Sequence, residues 1–236
     1  MSDPFFILHR DLPREGPGSA EEAAWAAGAA GVRATARIVD MACGPGGDIA
    51  ALRAVAPAGQ VTAVEMTPHM VAAARARFAD DPGVTVIEGD MARLTGPFEF
   101  IWCAGAAYFL GVTEALTIWR DVLTPGGAVA FSEPVYFTAD PSDGARAMWG
   151  DHEPVTDAAG IAARVAAAGY ETLATRPVSD AAWEAYFGPV EARIAALRPG
   201  AEPDLKEVLD AETEEIRLWR AHRAETGYLL SVVRPA

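Results

Sequence analysis

Between residues 33 and 135 the apolar positions fall into two alternating rhythms. Compact apolar runs at 37–40, 61–65, 84–88, 98–103 and 128–133 predict buried strands. Between them the spacing turns helical: at 48–55, then at Met70, Val71, Ala74 and Phe78 behind a Thr67-Pro68 start, then at Leu116, Trp119 and Leu123. Pro125-Gly126-Gly127 predicts the turn into the fifth strand. Upstream lie an aromatic and charged segment at 5–14 and the turn Gly16-Pro17-Gly18. Ser19 with Glu22 then makes a capping box that opens a helix running to Gly28. Downstream, 134–156 has no clear period but carries Tyr136, Phe137, Trp149 and His152. A helix at 157–168, a strand at 170–175, two helical stretches in 180–225 and a last strand at 228–233 complete the pattern. Gly188-Pro189 is expected to kink or break the first of those stretches. In the second, Glu212 interrupts the apolar stripe, and the acids from Asp204 to Glu215 read as a solvated face.

Strands alternating with helices at this spacing predict an α/β domain with a doubly wound, mostly parallel sheet of seven strands. The last two strands should form an antiparallel pair with the 180–225 helices inserted between them. Handedness places every strand-to-helix turn on one edge of such a sheet. The turn Gly44-Pro45-Gly46-Gly47, Glu65, Asp90 and residues 103–106 therefore converge on one pocket. A glycine-rich turn between a strand and a helix presents backbone N–H groups and lets a ligand approach the main chain.

Bulk properties narrow the partners. A formal charge of −14 over 236 residues argues against nucleic acid and anionic membranes. The two cysteines, Cys43 and Cys103, provide neither a disulfide framework nor zinc-site spacing, and no metal is expected. The first residues show no leader pattern, and no apolar run is long enough to span a membrane. A single cytoplasmic domain is expected, monomeric or homodimeric. Residues 1–30 form its lid, 33–135 its cofactor-binding core and 180–225 a cap or interface.

Asp40-Met-Ala-Cys-Gly-Pro-Gly-Gly47, the acid closing strand two, Gly89-Asp90 after strand three and Leu123-Thr-Pro-Gly-Gly127 together resemble the class I S-adenosylmethionine-dependent methyltransferases. Residues 9–19 and 101–111 look like one branch of small bacterial enzymes that methylate small molecules. The resemblance implies a Rossmann-like methyltransferase fold that binds S-adenosyl-L-methionine and releases S-adenosyl-L-homocysteine. It implies that the methionine end lies against Asp40, Ala42, Gly44 and Gly46. Glu65 then takes the ribose hydroxyls, Met66 the adenine face, Asp90 the adenine amino group and the Met91 N–H a ring nitrogen. Cys103 and Ala104 would pass beside the sulfonium, and Gly16 would touch the cofactor. Ala42 stands where the pattern usually has glycine, and is expected to adopt an extended conformation. Ala104 stands where the branch more often has an acid.

On the substrate side, Tyr108 after strand four is the first candidate for catalysis. Arg14, Glu133, Tyr136, Trp149 and His152 are candidates for binding the acceptor. A nicotinamide or flavin oxidoreductase is the rival enzyme class, but the G-x-G-x-x-G pattern fails from Gly44 at Ile49 and one turn earlier at Ala42. A non-catalytic cofactor-binding protein is the third reading.

Overall fold

The computed structural model describes residues 3–150 and 155–236. Helix α1 (Pro4–His9) lies in the aromatic N-terminal segment, and α2 (Ala20–Ala30) follows the glycine turn. Ser19 caps α2 as its sequence predicts, accepting the Glu22 N–H, but the helix runs on through Gly28 to a left-handed Gly31. The core then reads β1 (Arg37–Met41), α3 (Ile49–Val55), β2 (Gln60–Glu65), α4 (Pro68–Arg77), β3 (Val84–Glu88), β4 (Phe98–Ala104), α5 (Val112–Trp119) and β5 (Leu123–Tyr136). After it come α6 (Asp143–Ala147), β6 (Thr156–Asp157), α7 (Ala158–Ala167), β7 (Tyr170–Pro177), α8 (Asp180–Leu197), α9 (Pro203–His222) and β8 (Thr226–Pro235).

The sheet runs β3-β2-β1-β4-β5-β8-β7, and the two-residue β6 pairs with β5 beside this path. β1 to β5 are parallel, while β8 runs antiparallel to both β5 and β7. The fold expectation therefore holds, with one short strand added. Alternate residues of β1 enter different apolar layers. Ile38 packs with Leu52, Trp102 and Ala130, whereas Val39 and Met41 pack with Ile101, Cys103 and Phe131. A sheet covered by helices on both faces accounts for strands that are apolar throughout.

Three local expectations are corrected. Leu123 does not close a helix: it begins β5 and pairs with Phe98. Pro125-Gly126-Gly127 lies within β5 but loops out of the ladder, residues 124–127 standing against Glu99 alone between the pairs Phe98–Leu123 and Phe100–Ala128. Pro189 neither breaks nor ends α8, which continues through it. An interior proline costs a helix about 3 kcal/mol. Here Trp183, Phe187, Val190 and Ile194 are buried on both sides of it, and burial of several such side chains exceeds that cost.

Candidate active site

The β1 end meets the glycine turn at a carboxylate that accepts three backbone N–H groups. Glu65, 7% exposed at the close of β2, accepts the Gly44 N–H at 3.0 Å through Oε2. Its Oε1 accepts the N–H groups of Met66 at 2.9 Å and Thr67 at 2.8 Å. The acid thus ties the turn to the start of α4. Met66 stands 70% exposed beside it, an apolar side chain left open at the sheet edge. Ala42 has φ 56°, which corrects the extended conformation expected there. Gly44 and Gly46 are left-handed too, and a Cβ at Gly46 would meet Ile49 and Phe78 at 3.0 Å.

Asp40 is buried on β1 with Oδ2 lacking any hydrogen-bond partner among the described residues. Burial pushes its carboxyl well above the usual carboxylate range; the nearby Asp48 and Glu65 raise it further, and Arg14 opposes them. Asp48, at the start of α3, accepts from Trp102 Nε1 at 3.0 Å and from Arg14 at 2.9 Å.

The N-terminal segment closes over this turn. Arg14 also donates to the carbonyls of Gly16 and Gly18, so its guanidinium ties the N-terminal segment to the turn. A Cβ on Gly44 would meet Glu15 at 3.3 Å, and one on Gly47 would meet Arg14 at 2.8 Å. Glu15 in turn bonds His9 Nδ1 at 2.8 Å, and His9 Nε2 reaches Glu212 of α9 at 3.4 Å. Burial opposes a charge on His9, but the two glutamates outweigh it and hold its pKa at about 9. Strap, glycine turn and inserted helix are so joined through one buried imidazolium.

Across the sheet lies a second group. Cys103 and Ala104 end β4, and Ser132, which pairs with Ala104, accepts the Gly105 N–H at 2.8 Å. Glu133 follows on β5, 3% exposed, and Tyr108 stands in the turn after β4. A cavity of about 340 Å³ is lined here by Tyr108, Glu114, Glu133, Trp149, Arg164 and Tyr228, among others. Trp149 stacks on Tyr228 with ring centroids 5.7 Å apart, and its Nε1 donates to Thr226 at 2.7 Å. Burial raises Glu133 to about 7, against the pull of Arg164 and of the Tyr108 N–H on its carboxylate. Tyr108 is pushed up to about 12 by burial and by Glu133, so it is a neutral phenol at physiological pH.

Of the expected residues, Asp40, Ala42, Gly44, Gly46 and Glu65 gather at the β1 and β2 ends. Cys103, Ala104, Tyr108, Glu133 and Trp149 gather at β4 and β5. Asp90 is exposed and accepts the Ala92 N–H at 2.8 Å, closing a turn of its own; Met91 is half-buried behind it. Tyr136 does not line the cavity and instead lies under Arg146, whose guanidinium carbon is 5.8 Å from its ring. His152 lies outside the described residues. Cys43 and Cys103 are buried in different apolar layers, and burial raises both thiols, which leaves them protonated and unreactive.

Sequence reasoning missed His9, Tyr228 and the inward acids of α9. Glu212 Oε2 is buried, and Glu215 is raised to about 7 by burial and by Glu212, so these two do not belong to a solvated face. A signal existed: Glu212 broke an apolar stripe, and Glu215 shares its face three residues on.

Residues 38–127 match the family model described as a methyltransferase domain. This stretch is a methyltransferase domain by that match, running from β1 into the start of β5 and covering less than half of the chain. The whole chain has the same fold as a methyltransferase from Geobacter sulfurreducens solved with S-adenosyl-L-homocysteine, at TM-score 0.83 and 20% identity over 100% of this chain and 99% of that one. A second, from Thiobacillus denitrificans with the same ligand, gives TM-score 0.80 and 18% identity over 100% and 99%. A curated relative, an uncharacterized 37.1 kDa protein in transposon TN4556 of Streptomyces fradiae, is 37% identical over 101 residues. That alignment takes in 41% of this chain and only 29% of the relative's length. The nicotinamide and flavin reading gains no support from the methyltransferase match or from the antiparallel β8 edge.

Proposed function

We propose that the protein transfers a methyl group from S-adenosyl-L-methionine to a small-molecule acceptor. The observation that carries this is Asp40: a buried carboxylate oxygen without a partner, beside a left-handed glycine turn, fits the ammonium group of the cofactor's methionine end. Backbone from Ala42 to Gly46 would hold the methionine carboxylate. Glu65 keeps spare lone pairs for the ribose hydroxyls, exposed Met66 offers a flat contact to adenine, and Asp90 and the Met91 N–H would meet its polar edge. When bound, the cofactor supplies a methyl group activated by a sulfonium leaving group. The chain's own contribution is to position the acceptor and exclude water, with Arg14, Glu15 and Gly16 as lid and α8 and α9 as cap. A neutral Tyr108 can donate a hydrogen bond to the acceptor and cannot serve as its base.

Calorimetric titration with S-adenosyl-L-homocysteine, and separately with NADH, tests this reading on the wild type and Glu65→Gln. Binding of the first alone is expected, weakened about tenfold or more in the variant through loss of a charge-assisted contact. Binding of NADH, or of neither ligand, would overturn the reading.

A further inference from the structure

Two carboxylates on the same sheet edge are buried, each with one oxygen that lacks a hydrogen-bond partner among the described residues. Asp40 on β1 fits the cofactor; Glu133 on β5 has no such assignment. Ala130 is the β5 residue level with Asp40, through Trp102; Glu133 lies two strands across and three residues further along, about 14 Å from Asp40 and beyond Cys103 and Ala104. Its Oε1 has no hydrogen-bond partner among the described residues, and it lines the 340 Å³ cavity.

The walls of that cavity are aromatic. Tyr108, Trp149 and Tyr228 line it, aromatic rings attract cations, and Trp149 and Tyr228 are fixed by their stack. Glu133 Oε1 lacks a hydrogen-bond partner among the described residues, and the pull of Arg164 and of the Tyr108 N–H does not offset the burial of the carboxylate, so a positive charge on the ligand would relieve it. We infer that this cavity takes a small primary or secondary amine as its ammonium ion, and that Glu133 receives the proton which the nitrogen must lose. The inference rests on the methyl-transfer reading of the same edge.

The chemistry balances. One N–H proton passes to Glu133 Oε1, which leaves the nitrogen lone pair free. That pair forms the new N–C bond while the electrons of the breaking C–S bond stay on sulfur. The product leaves as the more substituted ammonium ion, and Glu133 returns its proton to solvent. A carboxylate raised to about 7 suits an ammonium proton and is far too weak a base for an alcohol. A thiol would become a thiolate beside Glu133 and be repelled by it. The groups acting on Glu133 or sharing its cavity are Arg164, Glu114, Tyr108 and Tyr228, with Cys103 beside it and Glu215 acting on both tyrosines.

The test uses the full chain, alone and saturated with S-adenosyl-L-homocysteine. Tryptophan fluorescence and calorimetry follow n-butylamine and benzylamine against n-butanol and benzyl alcohol. The amines are expected to bind about tenfold or more tightly than the matched alcohols, as a charge-assisted contact requires. Glu133→Gln should erase that preference while leaving S-adenosyl-L-homocysteine affinity unchanged. In the wild type the preference should weaken below pH 7 as Glu133 takes up a proton. Equal binding of amines and alcohols, undetectable binding of both, or an undiminished preference in Glu133→Gln would overturn the inference. Because the preference is read with and without the nucleoside, a missing nucleoside response would sink the cofactor reading separately.

Discussion

Glu65 and Glu133 are both buried at the same edge of one sheet, three strands apart in its path from β2 to β5. Glu65 accepts three backbone N–H groups, whereas Glu133 accepts the Tyr108 N–H and keeps one oxygen bare. The same side chain therefore does opposite work in the two halves of the site. At β2 the carboxylate builds the backbone around it, and in the proposed function the ribose would use lone pairs left over from that task. At β5 the carboxylate is held by the fold at a cost and is released from it by a ligand or a proton. One acid is part of the scaffold, and the other is a group that the scaffold merely tolerates.

Removing each carboxylate separates the two roles. Glu65→Ala should lower unfolding free energy by about 4 kcal/mol, since three N–H donors lose their acceptor at about 1–3 kcal/mol each where water cannot replace it. Urea unfolding measures this, and a loss below about 1 kcal/mol would mean that the N–H groups are already served by solvent.

Glu133→Gln should act in the opposite direction and only above a certain pH. The folded pKa of about 7 lies above the ordinary 4.5, so the native state binds more protons than the unfolded state between those values. Stability is therefore undiminished below 4.5, falls as pH rises, and carries the full penalty above 7. A rise of that size corresponds to about 3 kcal/mol. Relative to the wild type, Glu133→Gln should gain up to about 3 kcal/mol between pH 4.5 and 8, and contributions from His9 and Asp40 cancel in that difference. A constant difference across that range would show that Glu133 is not strained in the native protein.

The contrast also marks what could be read in the chain. Apolar runs and glycine turns fixed β1 to β4, and the acid after strand two could be placed because its position follows from local pattern alone. Glu133 was visible as the end of a strand, but its bareness depends on what packs above it. Tyr228 and Arg164 arrive there from distant sequence and carry no local mark of their destination, whereas Trp149 stood out only as an aromatic residue in an aperiodic segment. His9 likewise looked like one polar residue in an aromatic segment, and its burial follows from α1 docking on α9. Pro189 shows the converse, where a strong local rule yielded to burial on both sides of it.

Ala42 tests how far the β2 side of the comparison is strained to make its hydrogen bonds. Its φ of 56° places a Cβ against its own backbone, a conformation that costs a non-glycine residue about 1–2 kcal/mol. The residue after it donates its N–H to Val64 O at 3.0 Å, and the next donates to Glu65, so β1 and β2 hold the turn in place around the strain. Ala42→Gly removes the steric cost but adds about 0.5–1 kcal/mol of unfolded-chain entropy. The difference leaves a net stabilisation of about 0.5–1 kcal/mol, read as a higher urea midpoint at unchanged slope. Nucleoside affinity should stay within about twofold, because the N–H groups facing the ligand are already aligned. A destabilised Ala42→Gly would mean that the left-handed conformation is not the one adopted in solution, and the Gly44 hydrogen bond to Glu65 would then need another source.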